Sequence, residues 1–564
     1  MVKQHQCTTF SRGEWLPWNR SGKCCLGGGA VRTRKGWKKR RLHYAAIVRM
    51  KQKFERDVVV QDQGTMEDTE KVFNDAVHGA ISLHPLCVRV VDTPQFQRLR
   101  FLKQLGSSYF VYPAAASNRF EHSLGVCHLA GQLARALQAR QPNLKISEYD
   151  ILCVQLAGLC HDLGHGPFSH LWEVFVNKAR PGKKWRHESA SIDMFDYLLD
   201  ANNLHDEFKR YGLDDQDLKF IKELIGGPKN TDGADWPYEG RPREKAFLYE
   251  IVANKRSGVD VDKWDYFLRD GHSLGIKVTF DYHRLVKFSR VIDVPGEGLQ
   301  ICFREKEVDS LYDMFHARRT LHRTAYQHRV VKTIDSMLVD AFCYADEHIQ
   351  HKGRNGKMYN LADVCDDMYA FTNLVDDVFH QIIRAEGDHP DLLKAKETIN
   401  RILTRQLYAY VGHTQPVSGG VSKETLLDSL VSNIPSGSLK KEDLDIQEVR
   451  LNYGMGDKDP IECVRFYSKN KPTDAKTLSR EEVSNMLPQS FQEVVYRFVI
   501  KSYDEQHYRD AQQMFKESCK QLNMKKPSVD SWPRHLTPVK RYDGHYANGQ
   551  GAPVDGSAVQ WLKF

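Results

Sequence analysis

The run HDLGHGPFSH at residues 161–170 places His161, Asp162, His165 and His170 within ten residues, punctuated by Gly164, Gly166 and Pro167. It follows YDILCVQLAGLC at 149–160, a nearly all-apolar stretch that reads as a buried helix. A core accommodates one satisfied histidine, but four such groups brought in together need partners. Imidazole nitrogen and carboxylate oxygen are good ligands for a divalent transition metal. Adjacent His161 and Asp162 cannot close a metal site by themselves. Upstream, NRFEHSLGV sets His122 on an amphipathic helix, and downstream GVDVDKWDYFLRD supplies Asp260, Asp262, Asp265 and Asp270. The pattern H…HD…D is therefore spread over three helices.

Helical periodicity must position these residues. Apolar residues recur at helical spacing through ISLHPLCVRVVDTPQFQRLRFLKQLG, and Leu124, Leu129, Leu133 and Leu137 form a further stripe. Further helical patterns cover 188–200, 216–226, 310–350, 361–386 and 391–411. Strand-like stretches are few: 58–61, 299–303 and the 446–467 region. The fold class is mostly α with a small β element late in the chain. Linkers are expected at 295–298, 414–423 and 433–438.

The 564 residues carry a net charge of +8, with 41% hydrophobic and 27% charged residues, an ordinary globular mix. The charge is uneven. Residues 1–56 hold 15 Lys and Arg against 2 Asp and Glu (+13), which leaves 66 against 71 in the remainder (−5). The basic balance thus belongs to a leader, whose run Lys38-Lys39-Arg40-Arg41 reads as a nuclear-import signal or a phosphate-binding patch. No apolar run is long enough to span a membrane, and no secretory signal opens the chain. The twelve cysteines form no CxxC pair and read as buried reduced thiols.

The motifs DTPQFQRLR, NRFEHSLGV, AGLCHDLGHGPFSH, FLYEIVANKR and DVDKWDYFLRD, with LYDMFH and LHR.AYQH, occur in this order from about Lys71 to about Asn523. Together they resemble the HD-domain metal-dependent phosphohydrolases, in particular the family of SAM-and-HD-domain deoxynucleoside triphosphate triphosphohydrolases. The resemblance implies an HD-domain helical core with a smaller mixed α/β C-terminal lobe. It divides the chain into a basic leader at 1–66, a catalytic core at 67–413 with its HD motif region at 119–270, a regulatory and oligomerisation lobe at 414–530, and a loose tail at 531–564. Family members carry a helical SAM domain ahead of the HD body, and residues 1–66 are too short and too basic to form one.

By the same resemblance His122, His161, Asp162 and Asp262 hold one iron, zinc or manganese ion, and Mg²⁺ accompanies the nucleotide. Water attacks the α-phosphorus of a dNTP, and the whole triphosphate leaves a deoxynucleoside. His165, His170 and His187 match positions near the phosphates, and His170 or His187 is the expected general acid, with Asp270 or Glu188 as the carboxylate behind His187. Arg119, Lys263 and Arg318 are the expected triphosphate cations. Gln104, Leu105, Tyr266, His322, Tyr326 and Gln327 match sugar and base contacts. Without the resemblance Tyr266 and Tyr326 read as core aromatics.

The resemblance also implies activation by GTP or dGTP and a dNTP at sites between subunits of a homotetramer. Lys71, Val72, Asp92, Gln97, Arg100 and Arg405 match the guanine pocket. From the residues alone Asp92 reads as an ion-pair partner on an amphipathic helix. Val111, Arg284, Arg304, Lys306, His328, Arg329 and Lys469 match the second site. Ser310, Thr324 and Arg329 depart from the family's residues there, and Ala409 departs near the first. These departures bear on activator choice and tetramer lifetime. Thr537, in TPVK, resembles a cyclin-dependent kinase site. Nuclear localisation, restriction of reverse-transcribing viruses, innate immunity and replication-fork or DNA-repair roles are expected on the same ground. The competing reading is a single-stranded nucleic-acid-binding protein or an HD-type nuclease, whose affinity would fall steeply with salt.

Overall fold

The computed structural model describes residues 70–228, 235–417 and 420–530, which fall within one compact unit beginning at Glu70. The leader, with its basic run and the strand-like 58–61, and the tail with Thr537 lie outside the described residues.

A hairpin, β1 (Lys71–Asp75) and β2 (Gly79–Leu83), precedes the helices. Helix α1 (Pro85–Val91) starts on the His84 imidazole, whose Nδ1 accepts from Leu86 N. Helix α2 (Arg119–Arg140) opens with Glu121 accepting the Asn118 N–H at 2.6 Å. Helix α3 (Glu148–Cys160) has a reciprocal cap between Ser147 and Asp150, and from Asp150 to Cys160 every residue is buried. Its all-round apolar sequence makes it the central helix, packed on α2 and on the later α6. Helices α4 (His170–Ala179), α5 (His187–Ala201), α6 (Asp215–Gly226) and α7 (Val261–Leu274) complete this bundle. Helix α7 starts on an Asp260 cap and stops at Gly275 in the left-handed region (φ 67°).

Helices α8 (Val308–Leu321), α9 (Arg329–Ala345) and α10 (Pro390–Leu403) follow, with a π-helical turn at His322–Tyr326 between α8 and α9. Helix α9 packs on α10 and on α4. The helix read over 310–350 is therefore three pieces. The 361–386 pattern is likewise broken, with helical turns at Leu361–Asp366 and Met368–Thr372 and a short helix at Val378–Arg384.

Strands β3 (Ser289–Val294) and β4 (Gly298–Arg304) form a hairpin over the supposed linker at 295–298. Strands β5 (Gln350–Lys352) and β6 (Met358–Asn360) form another. The pattern read as helix to 411 ends at Leu403, where Arg405 takes a positive φ of 60°, and β7 (Ala409–Thr414) follows. Helix α11 (Lys423–Ser432), β8 (Leu444–Asn452), β9 (Phe466–Tyr467), β10 (Gln492–Ile500), α12 (Glu505–Gln521) and β11 (Ser528–Val529) complete the order. Strand β9 joins the β3–β4 hairpin in parallel with β4, and the larger sheet runs β11-β7-β10-β8, all antiparallel.

This sheet with α11 and α12 has its own apolar core, including Val411, Leu426, Leu430, Ile446, Phe498 and Phe515. A mostly α body with a smaller α/β lobe is thus the observed architecture. The expected boundary at 413/414 falls inside β7, so the lobe begins earlier, near Ala409. All nine described cysteines are free. No helix among the described residues is long and apolar enough to cross a membrane.

Candidate active site

Close backbone approach sets the site. A β-carbon on Gly125 of α2 would fall 1.8 Å from Asp265 Oδ1 of α7, and one on Gly164 would fall 2.2 Å from Ser191 N. These two glycines let α7 and α5 close on the HD helices. The loop after α3 is strained, with Phe168 and Ser169 at φ 58° and 61°. It is held by Asp376, whose carboxylate accepts from Phe168 N (2.7 Å) and Lys103 N (2.8 Å). Arg98, buried to 3% exposure, donates to Leu163 O (3.0 Å), His165 O (2.9 Å) and Leu374 O (3.1 Å), and lies over the Phe371 ring. Burial pulls the Arg98 pKa down to about 9.

On this frame His122, His161, Asp162 and Asp262 converge. His122 Nε2 is 3.2 Å from Asp262 Oδ1 and 3.5 Å from Asp162 Oδ2. His161 Nε2 is 3.4 Å from Asp162 Oδ1 and 3.5 Å from Asp262 Oδ1. It is buried without a hydrogen-bond partner, while Nδ1 donates to Gly158 O at 2.8 Å. His122 Nδ1 donates to Asp265 Oδ2 at 2.7 Å. Both imidazoles therefore turn Nε2 toward the two carboxylates, the tautomer that a metal ligand requires. Burial opposes charge on His122, yet bonds to Asp262 and Asp265 carry its pKa up to about 10. Burial likewise opposes charge on Asp162, but Arg119, His161 and His165 hold it well below the usual carboxylate range. Two nitrogens and two carboxylates, with His122, His161 and Asp162 each held from behind by Asp265, Gly158 O and Arg119, fit a divalent transition ion.

The site floors a cleft of about 900 Å³ lined by Gln104, Leu105, Arg119, His165, His170, His187, Lys263, Tyr266, Asp270, His322, Tyr326 and Gln327, besides His122, Asp162 and Asp262. The cleft thus gathers the sequence-derived substrate set apart from Arg318, which is not among its lining residues. Arg119 donates to Ser169 Oγ (2.9 Å) and to Asp162, and Lys263 Nζ contacts Asp260 Oδ2 at 2.7 Å. Arg318 is engaged by Asn452 through O (2.8 Å) and Oδ1 (3.0 Å).

Three histidines cluster beside these four candidate ligands. The His165 and His187 rings stack at 4.1 Å, and His170 stands edge-on to both at 5.0 and 5.1 Å. Burial, Arg119 and His187 lower the pKa of His165 well below its ordinary value and that of His170 to about 4. His187 Nδ1 instead donates to Glu173 Oε2 at 2.8 Å, with Glu188 Oε2 at 3.6 Å. Asp270 binds elsewhere: it accepts from Tyr326 Oη at 2.5 Å, and burial raises its pKa to about 7. The close carboxylate behind His187 is thus Glu173, one helical face away on α4, which motif reading missed. The residue lies six positions before the ARPGKKWRHE turn, and only its i, i+3 relation to His170 hints at a shared face.

The outer positions separate from the cleft. Lys71 Nζ and Asp92 Oδ1 pair at 3.2 Å on the surface, so Asp92 does form an ion pair, with a lysine. Gln97 Oε1 accepts from Arg100 Nε at 2.8 Å, Arg100 lies 3.5 Å over the Phe120 ring, Val72 is exposed, and Arg405 donates to Phe110 O. Arg284 pairs with Glu307, and Arg284 and Arg304 both lie over Phe288. Val111 ends the turn at Gly106–Phe110 next to Tyr112, whose ring meets His328 at 5.9 Å. Lys306 lies in the turn before α8, Arg329 pairs with Asp530 at 2.6 Å, and Lys469 is exposed.

The HD-domain family profile matches residues 119–243, the segment that supplies His122, His161 and Asp162, and this defines an HD-domain protein. The chain is 50% identical over 481 residues to the bovine (Bos taurus) deoxynucleoside triphosphate triphosphohydrolase SAMHD1, covering 83% of this chain and 81% of the relative. It is 49% identical to the human protein of that name over 84% of this chain and 77% of the relative. The Dictyostelium discoideum SAMHD1 homolog is 38% identical over 80% and 79%. The chain belongs to the SAMHD1 family.

Proposed function

We propose that the protein hydrolyses deoxynucleoside triphosphates to deoxynucleoside and inorganic triphosphate in the cleft above His122, His161, Asp162 and Asp262. The observation that carries this reading is the convergence of those four ligand groups beneath Arg119, Lys263 and a three-histidine cluster. Relatives named as deoxynucleoside triphosphate triphosphohydrolases at about 50% identity support it, and the nucleic-acid reading is not favoured.

His122, His161, Asp162 and Asp262 would hold an iron, zinc or manganese ion, which would supply Lewis acidity toward the α-phosphoryl group. Arg119 and Lys263 leave Asp162 and Asp260 to neutralise the polyphosphate, with Mg²⁺ as its counter-ion, and Arg318, held by Asn452, is the third cation of the proposed set. His187, oriented by Glu173, is placed to act as the general acid toward the departing 5′-oxygen. His165 and His170 stay neutral and bind as donors or acceptors. Tyr326, fixed by Asp270, and Tyr266 pack under the sugar and exclude a 2′-hydroxyl, while Gln104, Leu105, His322 and Gln327 border sugar and base.

GTP or dGTP at Lys71, Val72, Asp92, Gln97, Arg100 and Arg405, and a dNTP near Val111, Arg284, Arg304, Lys306, His328, Arg329 and Lys469, are proposed to assemble the active homotetramer. The basic leader would address the protein to the nucleus. One assay tests both parts: dATP hydrolysis with and without GTP, in wild type and in His161→Ala with Asp162→Ala. The reading expects GTP-dependent turnover that the double variant abolishes while staying folded. Turnover in the double variant refutes the ligand set, and equal rates with and without GTP refute the guanine pocket.

A further inference from the structure

A second cluster of metal-binding groups lies away from the cleft. His348 sits in the turn that follows α9, its N–H bonded to Ala345 O at 2.9 Å. His389 caps α10, and Asp391 is the second residue of that helix. The His348 and His389 rings stand 4.3 Å apart at 39°. One ligand atom from each imidazole and one carboxylate oxygen of Asp391 lie within 4.8 Å of one another. His389 Nδ1 accepts from Asp391 N at 3.3 Å, so its lone pair already points at the cap of α10, and an ion would take over that lone pair while Nε2 keeps its proton.

We propose that His348, His389 and Asp391 form a second divalent-metal site, selective for a Zn²⁺-like ion, that clips the end of α9 to the start of α10. Two imidazoles and one carboxylate with open positions for water are a set that suits such ions. A tetrahedral ion with ligand bonds of about 2.0 Å separates its ligands by about 3.3 Å, so a small rotamer change at exposed His389 closes the triad. The two rings already face each other across separate helices, so the ion orders little that the fold has not ordered.

One group competes. Lys394 Nζ lies 3.0 Å from Asp391 Oδ1 and also over the Tyr344 ring. An ion must displace Lys394 from one oxygen or use the other. The consequence reaches the cleft, because α9 carries Val331, Lys332, Asp335, Ser336, Val339 and Asp340 along the cleft wall. An ion that binds only the folded chain stabilises it by mass action.

The experiment is equilibrium dialysis of the full chain against micromolar free Zn²⁺, with zinc per chain measured by elemental analysis. Wild type is expected to hold one zinc more than His348→Gln and than Asp391→Asn. Lys394→Gln is expected to tighten that ion several-fold. The His161→Ala, Asp162→Ala variant should keep it, which separates this site from the HD site. Cobalt-loaded wild type should show a visible ligand-field band that His348→Gln diminishes. Equal zinc content in wild type, His348→Gln and Asp391→Asn would overturn the proposal, as would an Lys394→Gln variant that binds zinc more weakly than wild type.

Discussion

His122 Nδ1 and Asp265 Oδ2 stand 2.7 Å apart, both buried, so the imidazole gives its proton outward and turns Nε2 to Asp162 and Asp262. Asp265 is itself held by His78 Nε2 at 2.6 Å and by Arg269 at 2.9 Å, and Arg269 is paired with Asp75 of β1. The hairpin at the front of the described chain therefore braces the candidate metal ligand His122 through three links. Asp265→Asn is expected to weaken metal retention by about 10–100-fold, the size of effect that outer-shell partners of ligating histidines carry. Metal content after graded chelation reads this directly, and unchanged retention would remove Asp265 from the site.

Glu173 sets the behaviour of His187. Burial works against its charge, but the hydrogen bond from His187 holds the carboxyl below its ordinary value. The same bond fixes the His187 ring at the edge of the cleft. Glu173→Gln is expected to lower kcat by about 10-fold or more with KM little changed, and His187→Gln by about 10²–10⁴-fold. An unchanged kcat in Glu173→Gln would remove the carboxylate from the account, and an unchanged kcat in His187→Gln would show that another group donates the proton.

Arg98 holds the HD loop by its carbonyls. Arg98→Met keeps the volume and removes three charge-assisted bonds, at a cost of about 3 kcal/mol or more. A thermal midpoint lowered by several degrees, with faster metal loss because Leu163 and His165 are no longer pinned, is the expected outcome. A midpoint within a degree of wild type would contradict it.

Tyr326 is fixed on Asp270 at 2.5 Å within the cleft. Tyr326→Phe keeps the ring and should keep the preference for deoxynucleotides, whereas Tyr326→Ala opens space beside the sugar. The ratio of kcat/KM for dGTP over GTP is expected to fall about 10-fold or more in the alanine variant, since sugar rejection of this kind is steric and worth about 1–3 kcal/mol. An unchanged ratio would place the 2′-position elsewhere.

Much of this was legible before any coordinates. Helix α3 was readable because its residues are apolar all round, and the HD turn because its glycines and histidines interrupt that run. The spread H…HD…D pattern was legible from residue type and motif order, whereas Asp262 stood out from Asp260, Asp265 and Asp270 only through the family resemblance. Long-range partners were not. Glu173 behind His187, Asp265 behind His122, and Arg98 on the loop carbonyls are set by packing between helices that sequence spacing does not encode. Strand β10 was missed although QEVVYRFVI is rich in β-branched and aromatic residues, because it is buried by neighbours from both flanks rather than marked by turns. The helix read through 411 failed where Arg405 takes a left-handed conformation, which residue type does not announce. Charge was informative only once divided: the −5 body gathers its cations on Arg119 and Lys263 at the cleft, while the +13 leader lies outside the described residues.

The central claim is that water attacks the α-phosphorus of a deoxynucleoside triphosphate and the triphosphate leaves intact from the 5′-oxygen. The direct measurement is hydrolysis of dGTP with Mg²⁺ and GTP in ¹⁸O-water, followed by mass analysis of both products. The account predicts deoxyguanosine without label and inorganic triphosphate carrying one ¹⁸O. Label in the deoxyguanosine hydroxyl, or release of pyrophosphate or orthophosphate in place of triphosphate, would contradict it.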